Sequence, residues 1–112
     1  MKIQQRQAGD VHVFELAGEL DFHTSPDLRS KLQPVTEKSS HKVIINLKKV
    51  NYIDSSGLAT FVEALQKAKR SSGKLVLTEL MPSVRSVFEI AKLDKVFTLA
   101  ATEAEALELA AS

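Results

Sequence analysis

The spacing of apolar residues along this chain switches between a period near two and a period near 3.6, and each switch marks an element. Residues 3–7 alternate weakly, as an edge strand does. Ala8-Gly9-Asp10 reads as a turn and Val11-His12-Val13-Phe14-Glu15-Leu16-Ala17 as a second strand, so the two predict a hairpin. Gly18-Glu19-Leu20-Asp21 ends that strand. Thr24 or Ser25 then caps a helix with Pro26 at its first position, where the missing N–H costs nothing. Leu28, Leu32 and Val35 recur at helical spacing, and Pro34 predicts a kink or an early end.

Lys42-Val43-Ile44-Ile45-Asn46-Leu47 is apolar on both faces, which is the pattern of a central strand covered on two sides. Leu58, Phe61, Val62, Leu65 and Ala68 form one helical stripe. Lys67, Lys69 and Arg70 sit near that helix's C-terminal end, where positive charge is favoured, and Gly73 supplies the residue beyond it. Lys74–Thr78 is a further strand. Pro82 starts a third helix with Val84, Val87, Phe88 and Ala91 on one side, and Val96–Leu99 is a last short strand. Thr102 and Glu105 make a capping box for a terminal helix. The order β-β-α-β-α-β-α-β-α implies crossovers. The expected fold is therefore one α/β domain over residues 1–112, with a mixed, mostly parallel sheet of about five to six strands and about four helices.

Composition narrows the function more than the fold. The 112 residues are 44% apolar and 26% charged, ordinary for a soluble globule. A net charge of +1 gives no bulk electrostatic reason to expect direct nucleic-acid binding or an anionic membrane. No apolar run approaches the roughly 20 residues of a membrane span, so no membrane insertion is expected. The N-terminal residues lack the apolar centre of a signal peptide. With no cysteine, disulfides and thiolate chemistry are excluded, and a reducing, cytoplasmic setting is expected.

The segment Tyr52-Ile53-Asp54-Ser55-Ser56-Gly57-Leu58 closes a strand and opens a helix. It puts two hydroxyls and a carboxylate at a helix mouth, where unpaired N–H groups and a partial positive charge receive anions. A single cap needs one such residue, and here three are stacked. A second polar cluster, Asp21, His23, Thr24 and Ser25, also follows a strand, so the two are expected to share one rim of the sheet.

Other chemistry has less support. Ser55 and Ser56 lie outside a G-x-S-x-G elbow, and His12, His23 and His41 offer no triad spacing. Three scattered histidines give no metal-ligand pair, and no metal or other cofactor is expected. Ser71-Ser72-Gly73-Lys74 lacks the first glycine and the closing hydroxyl of a phosphate loop.

Gly18-Glu19-Leu20-Asp21, Val43–Leu47, Ile53-Asp54-Ser55-Ser56-Gly57-Leu58 and Gly73–Leu77 together closely resemble the STAS-domain anti-sigma-factor antagonists of bacteria, over essentially the whole chain. The resemblance implies a binding module and not an enzyme. Unphosphorylated, such a module binds an anti-sigma factor that is also a serine kinase, and so releases a sigma factor. Phosphorylated, it lets go, and a serine phosphatase resets it. The acceptor hydroxyl falls on Ser55, with Ser56 as the neighbouring, usually non-acceptor position. Asp21 matches a family residue near the kinase's nucleotide. The partner-binding set is then Asp21, His23, Thr24, Asp54, Ser56, Gly57 and Leu58. The chain departs from the common G-L-G pattern at Ala59-Thr60. The alternative role is that of an unphosphorylated scaffold subunit in a transport or lipid-trafficking complex. Of the apolar residues at the mouth, Phe61 is expected in the core and Leu58 partly exposed.

Overall fold

The structure, a computed structural model, describes residues 1–111. Strands β1 (Lys2–Ala8) and β2 (Val11–Leu20) pair antiparallel through the Gly9 turn. From there the chain alternates through α1 (Ser25–Thr36), β3 (Lys42–Ile53), α2 (Ser55–Arg70), β4 (Lys74–Thr78), α3 (Pro82–Ile90), β5 (Thr98–Ala100) and α4 (Glu103–Ala111). The strands lie in sequence order in one five-stranded sheet, and every pair after the first is parallel. The expected α/β order is therefore the observed one.

Alternation along the strands divides the side chains between two layers. Phe14, Leu16, Val43, Ile45, Leu47, Leu75 and Leu77 meet Leu28 and Leu32 of α1, Phe61 and Ala64 of α2, and Val84 and Phe88 of α3 in the main core. Phe88 packs edge-on to Phe97 at 5.6 Å between ring centroids. Val11, Val13, Ile44 and Val76 face the other way and meet Ala106 and Ala110 of α4. The two-sided apolar pattern of β3 thus reflects cover on both faces, by small residues on one of them.

Strand lengths differ from the sequence-based bounds for a physical reason. β3 runs to Ile53 instead of stopping at Leu47, and β2 to Leu20 instead of Ala17. Twelve residues of β3 lie beside ten of β2, with register shifts at Glu15/Ala17 and Gly18/Glu19. Each shift inserts an extra residue into β3. Leu47, Val50 and Ile53 all face the main core at a spacing of three, which a period-two reading does not recognise. β5 begins at Thr98, two residues later than expected, because Phe97 turns into the core.

The helix ends also depart in detail. Pro34 lies in the last turn of α1, and the helix continues to Thr36, since a proline there removes only one late bond. Ala91 is the exposed C-cap of α3, not part of its buried stripe. At the end of α2, Ser72 takes the left-handed conformation (φ 57°), and Gly73 N–H bonds back to Ala68 at 2.7 Å. Gly73 is needed for closeness: a Cβ there would stand 2.7 Å from the His41 carbonyl. The Thr102 hydroxyl accepts from Glu105 N–H at 3.2 Å, while Glu105 reaches back to Ala101 N–H and not to Thr102 itself.

Candidate functional site

β2 and β3 are parallel neighbours, so their C-terminal ends lie at the same edge of the sheet. Leu20 pairs with Ile53, and Asp54 N–H donates to the Leu20 carbonyl at 3.1 Å. That bond brings together the two polar clusters, one after each strand. The expected shared rim exists, and Asp54 is its hinge.

Asp54 is the N-cap of α2, in extended conformation. Its Oδ1 accepts from Gly57 N–H at 3.0 Å, satisfying one orphan donor of the first helical turn. Its Oδ2 accepts from Phe22 N–H at 3.1 Å, across to the β2–α1 loop. One carboxylate therefore both starts the helix and fixes the neighbouring loop. Gly57 allows the approach: a Cβ at this position would lie 2.8 Å from Ile53 Cγ1 and from Leu20 Cγ.

Ser55 opens α2 and is exposed, and its hydroxyl makes no hydrogen bond among the described residues. Ser56 is half-buried, and its carbonyl accepts from the Thr60 hydroxyl at 3.0 Å. The two serines are thus distinguishable by exposure, Ser55 open to solvent and Ser56 half-buried. Leu58 is half-buried and packs on the main core, and Phe61 is fully buried.

The loop on the far side of the rim is tightly tied. The Asp21 carboxylate accepts from His23 N–H at 2.9 Å and Thr24 N–H at 3.1 Å. The Thr24 hydroxyl accepts from Asp21 N–H and donates to the Glu19 carbonyl, both at 2.9 Å. Thr24 stands at the N-cap of α1 but spends its hydroxyl on this loop, and Ser25 donates to the Asp21 carbonyl at 2.6 Å. Neither therefore caps α1 through its side chain in the expected way, and Pro26 takes the second helical position. Desolvation resists ionisation of Asp21, but the donors from Thr24 and His23 outweigh it and hold its carboxyl below the usual range.

His23 alone of the three histidines stands at this rim. His12 and His41 belong to the N-terminal ends of β2 and β3, at the opposite edge. His41 is buried there, with Nδ1 2.8 Å from the Lys38 carbonyl. Sequence reasoning passed over one residue of the rim. Phe22 is 63% exposed, and its ring lies against His23 with centroids 4.0 Å apart. An apolar side chain between turn residues belongs to no periodic stripe, so only its position inside the polar cluster signals it.

No group of three or more metal-ligating side chains occurs among the described residues. No helix among them is long and apolar enough to cross a membrane.

A family model described as the STAS domain matches residues 2–106. The anti-sigma-B factor antagonist of Bacillus subtilis (strain 168) is 34% identical over 97 residues, covering 87% of each chain. Among solved structures, an anti-sigma factor antagonist from Mycobacterium paratuberculosis is 26% identical, with a TM-score of 0.85 over 99% of this chain and 94% of that one. The Bacillus cell fate determinant SpoIIAA, in its phosphorylated form, is 26% identical with a TM-score of 0.74, over 96% of this chain and 97% of that one.

Proposed function

Because the chain belongs to the STAS-domain anti-sigma-factor antagonist family, we propose that it is an anti-sigma-factor antagonist whose docking is switched at Ser55. The unphosphorylated chain binds an anti-sigma factor that is also a serine kinase, and a sigma factor is thereby released. The kinase transfers the γ-phosphoryl group of ATP to Ser55. A bond forms between Ser55 Oγ and phosphorus, the bond to the β-phosphate oxygen breaks, ADP leaves, and the hydroxyl proton passes to a base. A serine phosphatase restores the hydroxyl. The chain is a substrate in this cycle and supplies no catalytic group. It works in the cytoplasm, where ATP and sigma factors are.

The observation that carries this reading is the contrast at the mouth of α2: Ser55 is exposed and its hydroxyl is unbonded among the described residues, while Ser56 is half-buried. A kinase reaches the first more readily than the second. The relative SpoIIAA, known in a phosphorylated form, supports the reading by likeness.

The physical effect of the phosphate follows from where it lands. Phosphoserine adds about −1.5 to −2 charges at neutral pH. The helix N-terminus attracts that charge and the Asp54 carboxylate repels it, each on the order of 1 kcal/mol at an exposed site. The two nearly cancel, so the fold is kept. At an interface the same charge, desolvated and without a partner, costs several kcal/mol. A loss of ~4 kcal/mol weakens docking roughly a thousandfold.

Incubation with the kinase and ATP, followed by peptide mass spectrometry, tests the assignment. One phosphate on Ser55 is expected. A phosphate on Ser56 or elsewhere, or none, overturns it.

A further inference from the structure

Phe22 stands in the loop between β2 and α1 with 63% of its surface exposed. Its backbone is held on both sides. Phe22 N–H donates to Asp54, and the flanking Asp21 and His23 belong to the turn closed by the Asp21 carboxylate and the Thr24 hydroxyl. The His23 ring lies against it at 4.0 Å, tilted by 34°. A large apolar ring is therefore presented to water on a loop that has little conformational freedom left to lose. Preorganised aromatic rings of this kind make interface anchors, because the entropy of ordering them is already spent in folding.

The charge around it is one-sided. Asp21 and Asp54 flank the ring's loop, Glu19 precedes it, and Asp27 lies in the first turn of α1. No lysine or arginine occurs from residue 11 to 28 or from 50 to 66, the two stretches that build the rim. Resting on the reading of Ser55 as the switch, we propose that Phe22, backed by His23, is the apolar anchor of the docking surface. Its counterpart on the anti-sigma-factor kinase is an apolar pocket bordered by basic side chains. The ring enters the pocket, and the carboxylates on the β2–α1 side of the rim, Glu19, Asp21 and Asp27, meet the basic border and neutralise it, so a phosphate on Ser55 finds no free cation there. Asp54 is a positioning residue here. Its two oxygens link the anchor's loop to the helix that carries Ser55, so ring and hydroxyl reach the partner in a fixed relation.

The test uses a purified anti-sigma-factor kinase that binds the wild-type chain. Phe22→Ala should weaken that binding at least about 30-fold with an unchanged circular dichroism spectrum, as a hot-spot truncation does. Phe22→Tyr keeps the ring and should stay within about threefold. Affinity should fall as salt rises from 0.05 to 0.5 M, by roughly tenfold or more if the acidic rim meets a basic border. In the wild-type complex, the Phe22 ring protons should lose their exposure to a soluble paramagnetic probe, a reading that does not depend on any variant folding. Wild-type-like affinity for Phe22→Ala, or a ring still exposed in the complex, overturns the anchor. Affinity that is indifferent to salt overturns the basic border. Tight docking of Ser55→Asp would instead remove the switch, and Phe22→Ala distinguishes the two failures.

Discussion

Asp54 shows how much a single side chain can settle. One oxygen caps α2 through Gly57 N–H and the other holds Phe22 N–H, so removing the carboxylate frees both a helix start and a loop. Its neighbour Gly57 is constrained by space: the Cβ of an alanine would need Leu20 and Ile53, both core residues, to move by several tenths of an ångström. Gly57→Ala should destabilise the protein by about 1–3 kcal/mol, read as a lower urea midpoint, through overpacking of a closed site. An unchanged midpoint would mean that the ends of β2 and β3 yield easily. Leu58→Asp tests a different point. Since Leu58 packs on the main core while half-exposed, the substitution should lower the urea midpoint as well as docking. An unchanged midpoint with lost docking would place this side chain wholly at the interface. At this scale the candidate site was partly readable. Asp54, Ser55 and Ser56 declare themselves by chemistry, and so do Asp21 and Thr24. Phe22 does not, because nothing in its neighbours' spacing tells an exposed ring from a buried one.

At the scale of elements, the pattern was most readable where period and cover agree. β4 is apolar and covered, and of the stripe expected on α2 Phe61 and Ala68 are buried while Leu58, Val62 and Leu65 are half-buried against the core, with Thr60 and Ala64 buried beside them, so both elements lie close to where periodicity puts them. Periodicity alone ends β3 at Leu47, because two extra residues break its alternation, and only pairing with β2 shows that the strand continues. α4 illustrates the same limit. Its end is fixed by groups far apart in the chain: Arg6 meets Glu103 at 2.6 Å, Asn46 donates to Glu103 at 3.1 Å, and Glu79, at φ 57°, accepts from Glu103 N–H at 3.1 Å. No local signal announces them. The Arg6 hydrogen bond, opposed by desolvation and helped by Asn46, holds the Glu103 carboxyl below its ordinary range. A lowered folded-state pKa contributes stability that is complete above the unfolded value, about 4.3, and that is lost as pH falls through and below it. Glu103→Gln should therefore flatten the loss of stability between about pH 5 and pH 3, while lowering stability at pH 7 by about 1 kcal/mol. Urea titrations at a series of pH values check this. Parallel wild-type and variant curves would show that the contact adds nothing in solution.

The whole molecule divides its labour between the two edges of one sheet. The N-terminal edge carries buried ties such as His41 against Lys38 and Gly73. The C-terminal edge of β2 and β3 gathers the exposed hydroxyl, the acidic rim and the ring of Phe22. A core built on Phe14, Ile45, Phe61 and Phe88 holds that edge, so a change of charge on Ser55 is expected to leave the fold in place. Phosphorylation should accordingly leave amide exchange unchanged across β3, β4 and the body of α2, with differences confined to residues 21–24 and 54–58. Protection lost throughout the sheet would point to refolding in place of a local change of charge. The central claim is that the charge state of Ser55 decides docking, and its most direct test is the dissociation constant for the kinase of wild type, Ser55→Ala and Ser55→Asp. Wild type and Ser55→Ala should bind alike to within a few fold, apart from the small loss of a first-turn hydroxyl, and Ser55→Asp should bind roughly a thousandfold more weakly. Equal affinity for all three would contradict the account.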